Sequence, residues 1–235
     1  MPNVEVNRQA LPEEDLRLAM RHAPVLLMDE LEPFFPVRIG ITVLRENGLS
    51  PSFGRRPVLR CPPSGVVIEY AIYYDYDIQH LYDLEHVWIY VDRDGQTVDA
   101  EGSFHGRYFK SLLPDRSNLC MEEETERVVL YVQPGKHALS PLPDLFLLWP
   151  GTPTCTQEDA GADGLAFGDF LVGILETNKA TDQKVRRRLQ RSRFTPTLRY
   201  REWSYADQTE LWVLWSELLA EIPKRVRHEL ERMDE

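Results

Sequence analysis

Residues 66–74 read Val-Val-Ile-Glu-Tyr-Ala-Ile-Tyr-Tyr, and residues 84–91 read Leu-Glu-His-Val-Trp-Ile-Tyr-Val. Both segments are rich in β-branched and aromatic residues, which favour strands. Asp92-Arg93-Asp94-Gly95 follows the second segment and is typical of a hairpin turn, and residues 97–105 predict the returning strand. Residues 127–132 predict a further strand that ends at Pro134-Gly135. Short strands joined by tight turns predict a β-sandwich rather than βαβ units.

Helices are predicted on both sides of this core. Leu11-Pro12-Glu13-Glu14-Asp15 has a proline and acids where a helix begins, and Pro24 ends that helix. Residues 207–233 carry a helical stripe of apolar residues, namely Leu211, Leu214, Trp215, Leu218, Leu219 and Ile222. Pro223 either kinks this helix or begins a second one. The predicted fold class is α+β, with an antiparallel β-sandwich core, an N-terminal helix and C-terminal helices.

The whole chain, residues 1–235, is predicted to form one domain. The sandwich core covers about residues 25–150, and the helical C-terminal part covers about residues 180–235. Residues 141–168 are predicted to be an irregular loop, because prolines and glycines interrupt them repeatedly. A loop of this length in a compact domain is usually functional or mobile.

Composition excludes several classes of protein. With 43% hydrophobic and 10% aromatic residues the chain is typical of a globular protein, and no apolar run reaches the ~20 residues of a membrane helix. The polar N-terminus lacks the apolar segment of a signal peptide. Three widely spaced cysteines do not suggest a disulfide framework or a thiolate metal cluster. We therefore expect a soluble, cytoplasmic protein.

The net charge of −11 argues against general nucleic-acid binding, since a phosphate backbone would be repelled on average. One segment has the opposite charge: residues 184–193 contain one lysine and five arginines. A solvated helix face, or a contact to the acidic remainder of the protein, is the favoured interpretation, and an anionic partner is the alternative. The sequence does not decide the oligomeric state.

Asp77, His80, Asp83 and Glu85 lie within nine residues, immediately before the apolar residues 87–91. Three carboxylates this close repel one another unless water screens them, protons neutralise them, or a cation lies between them. Strand alternation places Asp83 and Glu85 on one face, while Asp77 and His80 come from the loop before the strand. Oxygen donors with a single histidine favour Ca²⁺, Mg²⁺ or Mn²⁺ over zinc. The spacing is thus consistent with a divalent-cation site, and a solvated acidic loop is the alternative.

Four motifs follow one another over about residues 70–138. Residues 70–77 fit the element Tyr-x-x-Tyr-aromatic-x-x-Asp, and Gln79-His80-Leu81-Tyr82-Asp83-Leu84-Glu85-His86-Val87 is similar to the heptapeptide Gly-His-Arg-His-Asp-Trp-Glu followed by His-Val. Ser103-Phe104-His105-Gly106 fits Ser-x-His-Gly, and Gly135-Lys136-His137-Ala138 fits Gly-x-His-Ala. In this order the four motifs resemble those of the necrosis-inducing (Nep-like) protein superfamily and its vacuolar-sorting relatives.

The resemblance implies a β-sandwich with a divalent ion, Ca²⁺ or Mg²⁺, held by Asp77, His80, Asp83 and Glu85. It favours Asp77 over the neighbouring Asp75 as a ligand. His105 and His137 would lie beside the ion. The chain departs from the heptapeptide at its glycine, its central Arg-His and its tryptophan, and it shows neither the disulfide framework nor the signal peptide of the secreted members.

Three functions remain open at the level of sequence. The first is a metal-dependent protein that recognises a small polar ligand, bearing a sugar or a phosphate, with residues 141–167 as a lid. The second is a metal-assisted hydrolase in which His105 or His137 is the catalytic general base. The third is a structural or assembly module in which the ion only stiffens a loop. The sequence does not decide whether the protein is an enzyme.

Overall fold

The computed structural model describes residues 12–122, 124–205 and 208–233. The helices in these ranges are α1 (Glu13–Arg21), α2 (Asp144–Leu148), α3 (Thr152–Cys155), α4 (Lys179–Gln190) and α5 (Trp215–Arg232). The strands are β1 (Val25–Asp29), β2 (Arg38–Leu44), β3 (Gly48–Leu49), β4 (Val58–Leu59), β5 (Val66–Tyr76), β6 (Leu81–Val91), β7 (Thr97–Phe104), β8 (Arg107–Lys110), β9 (Leu119–Glu122), β10 (Thr125–Val132), β11 (Leu139–Ser140), β12 (Tyr200–Glu202) and β13 (Trp212–Leu214).

Two sheets contain most of the strands. One has the order β13-β2-β5-β6-β7-β8, and the other has the order β11-β10-β1-β12 with β9 paired to β10. The α+β class with a core made mostly of sheet is confirmed. The sheets are not wholly antiparallel, however, because β1 pairs with β10 and β13 pairs with β2 in parallel. Each parallel pair joins strands that are distant in sequence, which a pattern of local turns does not predict.

The main core lies between the two sheets. Alternate residues of β6, namely Val87, Ile89 and Val91, belong to the same buried cluster as Leu26 of β1 and Leu130 of β10. The intervening residues of β6 point the other way and form a second buried cluster under the loop that carries β3 and β4. Both faces of β6 are thus covered, and this accounts for the continuous apolar run at residues 87–91.

The C-terminal segment corrects one sequence prediction. The prediction of helix over residues 207–233 is wrong for Trp212–Leu214, which form β13 and pair with Ile39–Ile41 of β2. These residues fit a helical stripe, but the edge of the six-stranded sheet offers unpaired backbone groups that the strand satisfies. Helix α5 then begins at Trp215 and is continuous through Pro223. Asp207, the first residue of the predicted helix, and Leu11 before α1 lie outside the described residues.

Residues 141–168 are more regular than the sequence predicts, because they contain α2, α3 and a series of turns. Phe146 of α2 is fully buried, and its ring stacks on Phe104 of β7. That contact ties the segment to the sheet. In the described ranges no helix combines the length and the apolar character that crossing a membrane requires.

Candidate metal centre and adjoining pockets

Asp77 organises the four-residue loop that joins β5 to β6. Its side chain is almost fully buried. Its Oδ1 accepts hydrogen bonds from the backbone N–H groups of Gln79 and His80, at 2.5 and 2.7 Å. The backbone N–H of Asp77 also donates to the His80 carbonyl at 3.0 Å. Aspartate often forms turns by accepting from the backbone in this way, so Asp77 shapes the loop with Oδ1 and leaves Oδ2 for other partners.

The imidazole of His80 has one nitrogen whose role is fixed by its neighbour. Nδ1 lies 2.6 Å from the Tyr82 carbonyl oxygen, which can only accept, so Nδ1 carries a hydrogen. Nε2 lies 3.1 Å from Asp77 Oδ2. If the imidazole is neutral, Nε2 is an acceptor, and so is Asp77 Oδ2. These two atoms repel each other unless a proton or a metal ion lies between them. A ring N–H on a backbone carbonyl is the usual way in which metal-binding histidines are oriented.

Asp83 connects β6 to the β10–β11 hairpin through His137. Asp83 Oδ2 lies 3.0 Å from His137 Nδ1, and His137 Nε2 lies 3.5 Å from Glu32 Oε1. The His137 ring is fully buried and stacks on Tyr74 with 3.8 Å between ring centroids. Burial alone would lower the pKa of His137, but the hydrogen bonds and charges of Asp83 and Glu32 outweigh it and raise the pKa to about 10. His137 is therefore a cation at neutral pH.

A Pro-Gly turn places this histidine. After β10 the backbone N–H of Lys136 donates to the Gln133 carbonyl at 3.2 Å, with Pro134 and Gly135 between them. Gly135 has a φ of +71°, which the third residue of a type II turn requires. Its backbone N–H donates to Glu32 Oε2 at 2.7 Å. Glu32 thus holds both the turn and the histidine that follows it.

Lys136 supplies a second cation. Its ammonium group donates to Asp77 Oδ2, and the two side chains are 11% and 1% exposed. Burial alone would lower the pKa of Lys136, but the charges of Asp77 and Asp83 raise it. Lys136 and His137 therefore neutralise Asp77 and Asp83 from within the protein. A metal ion bound to Asp77 Oδ2 would have to displace the Lys136 ammonium group.

Glu85 lies beside the cluster and has a different partner. Its Oε2 accepts a hydrogen bond from the Ser103 hydroxyl, whose oxygen accepts from the His86 backbone N–H at 2.6 Å. Burial and the charge of Asp83 raise the pKa of Glu85 to about 8, although the Ser103 hydrogen bond opposes the shift. Glu85 is mostly protonated at neutral pH, and a protonated carboxyl is a poor metal ligand.

The structure brings three of the four sequence-predicted ligands together. One donor atom each from Asp77, His80 and Asp83 lies within 4.8 Å of the others. Glu85 is not part of this group. Asp75, the alternative to Asp77, lies outside it, because Arg225 holds its two oxygens at 2.9 and 2.8 Å. Two carboxylate oxygens and one imidazole nitrogen fit a divalent ion that keeps part of its water shell.

The two histidines predicted as catalytic candidates differ in what they can do. His105 lies in the turn between β7 and β8, where its ring stacks on Trp149 at 4.7 Å. Burial and the charge of Lys136 lower the pKa of His105, and within the described residues its buried Nε2 has no hydrogen-bond partner. A hydrogen bond to Gln133 opposes this shift of the pKa without outweighing it, so His105 is a neutral imidazole at neutral pH. His137 is protonated and fully enclosed, so its placement does not favour proton abstraction from a ligand.

Two cavities adjoin the cluster. The larger, of about 620 Å³, is lined by His80 and Asp83 on one side and by Phe167, Trp215 and Leu219 on the other. The smaller, of about 270 Å³, has a more polar lining, which includes Gln79, His105, Gln133, Lys136, Trp149 and Asp163. Residues 141–168 contribute to both cavities. The segment predicted as a lid therefore lines both cavities.

Three non-glycine residues around the cluster have a positive φ: +53° at Tyr82, +48° at His105 and +58° at His137. This conformation costs a residue with a side chain on the order of 1–3 kcal/mol. Such strain accumulates where the surrounding structure fixes side chains for a purpose. Five other non-glycine residues in the described ranges also have a positive φ, so these angles show how the three side chains are placed and do not by themselves mark a functional site.

Sequence reasoning does not single out Lys136 and Glu32, the two residues that complete this charge network. Glu32 does give a signal, since it is one of three acids, with Asp29 and Glu30, in the mostly apolar residues 25–37. Lys136 gives none, because an isolated lysine after a Pro-Gly turn is normally exposed.

Comparisons with known proteins give low structural similarity and no sequence match. Neither the protein-family models nor the curated proteins match this chain. Among solved structures it is similar to "NLPPya in complex with glucosamine", at 21% identity and a TM-score of 0.36 over 58% of this chain and 72% of that one. The structure "NLPPya in complex with mannosamine" has 21% identity and a TM-score of 0.35, over 60% of this chain and 74% of that one. A structure described as "Toxin fold as basis for microbial attack and plant defense" has 21% identity and a TM-score of 0.34, over 60% of this chain and 76% of that one. Nep-like toxin-fold proteins are thus structural neighbours, and similarity this low does not show membership of their family.

Proposed function

We propose that this protein binds a divalent metal ion at Asp77, His80 and Asp83 and uses it to recognise a small polar ligand. The geometry at His80 carries the proposal. Nδ1 must donate to Tyr82, and Nε2 then faces Asp77 Oδ2 at 3.1 Å. A cation between these two acceptors removes their repulsion, and Asp83 supplies a further oxygen within 4.8 Å.

The small number of protein donors favours Mg²⁺ over Ca²⁺. Mg²⁺ keeps several waters and is typically held by one or two carboxylates, whereas Ca²⁺ takes six to eight oxygen ligands. The bound ion would supply a positive charge that holds an oxygen of a phosphate, carboxylate or sugar hydroxyl group. Glu85, being mostly protonated, would remain outside the coordination shell as long as the Ser103 hydrogen bond is kept.

The cavity of about 620 Å³ is of the size that small-molecule sites have. Its lining combines aromatic rings, including Tyr82, Phe167 and Trp215, with the cation Arg56 and with Asp83. Aromatic surface next to charged groups suits a sugar that carries a charged substituent. We therefore infer a sugar- or phosphate-bearing ligand, and glucosamine, mannosamine and glucose 6-phosphate are suitable probes.

A metal-assisted hydrolase is the second candidate. It is favoured by His105, a neutral imidazole whose buried Nε2 has no partner in the described ranges and which lines the cavity of about 270 Å³ with Lys136. In that function His105 would accept a proton as a general base. Metal-dependent hydrolysis of phosphate or carboxylic esters that disappears in His105→Ala would establish it, and ligand binding without turnover would favour recognition.

Calorimetric titration of EDTA-treated protein with Mg²⁺ and with Ca²⁺ tests the ion site. We expect saturable binding that His80→Ala weakens by tenfold or more, because the imidazole nitrogen is lost while the Asp77 turn is kept. His228→Ala is the matched control, since His228 is exposed on α5. Binding that both variants reduce equally, or no binding by the unaltered protein, would refute the proposal. Ion binding with no response to any polar probe would instead indicate a structural ion.

A further inference from the structure

We propose a second ligand site, for an anion that carries several phosphate groups, on the basic face of α4. This α4 basic face consists of cationic side chains spaced by three or four residues, namely Lys184, Arg187, Arg188 and Arg191. Residues at such spacing lie on one side of a helix. Val185 and Leu189, on a different side, are fully buried and fix the orientation of α4.

The α4 basic face lines a cavity of about 660 Å³ that reaches the end of α5, where Arg232 joins the lining. In the described part of the chain no acidic residue lines this cavity. It shares no residue with the cavity that His80 and Asp83 line. The two sites are therefore separate, and the anion site does not depend on the proposed metal centre.

Clustering of these cations is unfavourable for the helix alone. Like charges at i,i+3 and i,i+4 destabilise a helix by roughly 0.2–0.5 kcal/mol per pair, and four such pairs are present. The protein has a net charge of −11, so acids that could compensate are abundant elsewhere. Arg187 and Arg191 are nevertheless exposed, and with the described residues they form no ion pair or side-chain hydrogen bond. Local rules are most often broken at functional sites.

Arginine determines the chemistry of the ligand. The planar guanidinium group donates two parallel hydrogen bonds to a phosphate, and adjacent arginines suit adjacent phosphates. The amino end of α4 takes no part, since the Asn178 side chain already accepts from the backbone N–H groups of Ala180 and Thr181. The net negative charge repels a long polyanion such as nucleic acid. A compact polyphosphate, free or as a lipid headgroup, fits the cavity.

Titration of the full, EDTA-treated chain with tripolyphosphate at low and physiological salt tests this site. We expect saturable binding that weakens with salt and that falls on the order of 100-fold in Arg187→Gln/Arg191→Gln, about tenfold for each lost charged hydrogen-bonding group. Arg186→Gln/Arg193→Gln is the matched control: it removes the same charge from exposed positions that do not line the cavity. That control is expected to lose less than about threefold.

Two further arms identify the source of the phosphates. Sedimentation with phosphatidylcholine vesicles, with and without a phosphorylated phosphoinositide, indicates a headgroup if only the phosphoinositide vesicles bind. Binding of tripolyphosphate without vesicle binding indicates a free ligand. No saturable tripolyphosphate binding, equal losses in the two double variants, or tighter binding to a short RNA would each overturn the proposal.

Discussion

Replacing Lys136 by methionine should make the protein less stable without a metal ion and should make it bind the ion more tightly. Methionine keeps most of the aliphatic volume and removes only the ammonium group. That group is the partner of Asp77 Oδ2, which lies in a side chain that is 1% exposed. Loss of the partner leaves a buried carboxylate oxygen with an uncompensated charge.

The size of the effect follows from that burial. Removing one member of a buried ion pair typically costs about 3–5 kcal/mol. Asp77 Oδ1 keeps its two backbone hydrogen bonds, so we expect the lower end, about 3 kcal/mol, for the metal-free protein. In the unaltered protein the ion must displace the ammonium group. Removal of the ammonium group should therefore raise the affinity for the ion by up to the same free energy, which is up to about 150-fold.

Chemical denaturation of EDTA-treated and Mg²⁺-saturated protein measures the first effect, and calorimetric titration with Mg²⁺ measures the second. Lys179→Met, an exposed position at the start of α4, is the control and should change neither quantity. If Lys136→Met binds Mg²⁺ no more tightly than the unaltered protein, Lys136 does not occupy the cation position. If its metal-free stability equals that of Lys179→Met, the buried pair contributes no net stability.

Two further predictions concern the turn and the pH dependence of folding. Gly135→Ala should cost about 2–4 kcal/mol, because a Cβ would lie 2.9 Å from Ile78 at a φ of +71°. Gly95→Ala has a similar φ of +77° and open space, so it should cost only about 1 kcal/mol, and equal costs in urea unfolding would contradict the clash. Burial, and then Arg21, lowers the pKa of His22 from 6.5 to about 4, so the unfolded chain takes up the proton first as the pH falls. The free energy of unfolding should therefore drop by about 3 kcal/mol between pH 6.5 and 4, and the drop should shrink in His22→Gln unless another group causes it.

The strand pattern of the central region could be read from the sequence because its causes are local. β5 and β6 are rich in β-branched and aromatic residues. Asp92-Arg93-Asp94-Gly95 matches the turn between β6 and β7, where Gly95 has a φ of +77°. The sequence did not predict the parallel pairings, because β1 and β10 are about a hundred residues apart and no local pattern shows that they pair. The strand at Trp212–Leu214 was not predicted for a related reason. Whether a short apolar segment forms a helix or a strand depends on the sheet edge beside which it lies.

The candidate site likewise has features that the sequence predicted and features that it did not. The positions of Asp77, His80 and Asp83 in one hairpin made their proximity predictable, because four loop residues cannot separate them far. The spacing of residues could not show that Glu85 accepts a hydrogen bond from Ser103 and lies outside the ligand group, since Ser103 lies on the neighbouring strand. Nor could it show that Asp75 is held by Arg225 from a helix 150 residues away.

Sequence alone determined the strands, the tight turns and the crowding of acids before β6, because each depends on residues that are close along the chain. Only the tertiary structure decided what neutralises those acids. Lys136 and His137 reach them from a different hairpin, and Glu32 completes the network from the segment after β1. In a buried site the charge balance is set by proximity in space, since low polarity makes each contact strong, and no spacing rule carries that information.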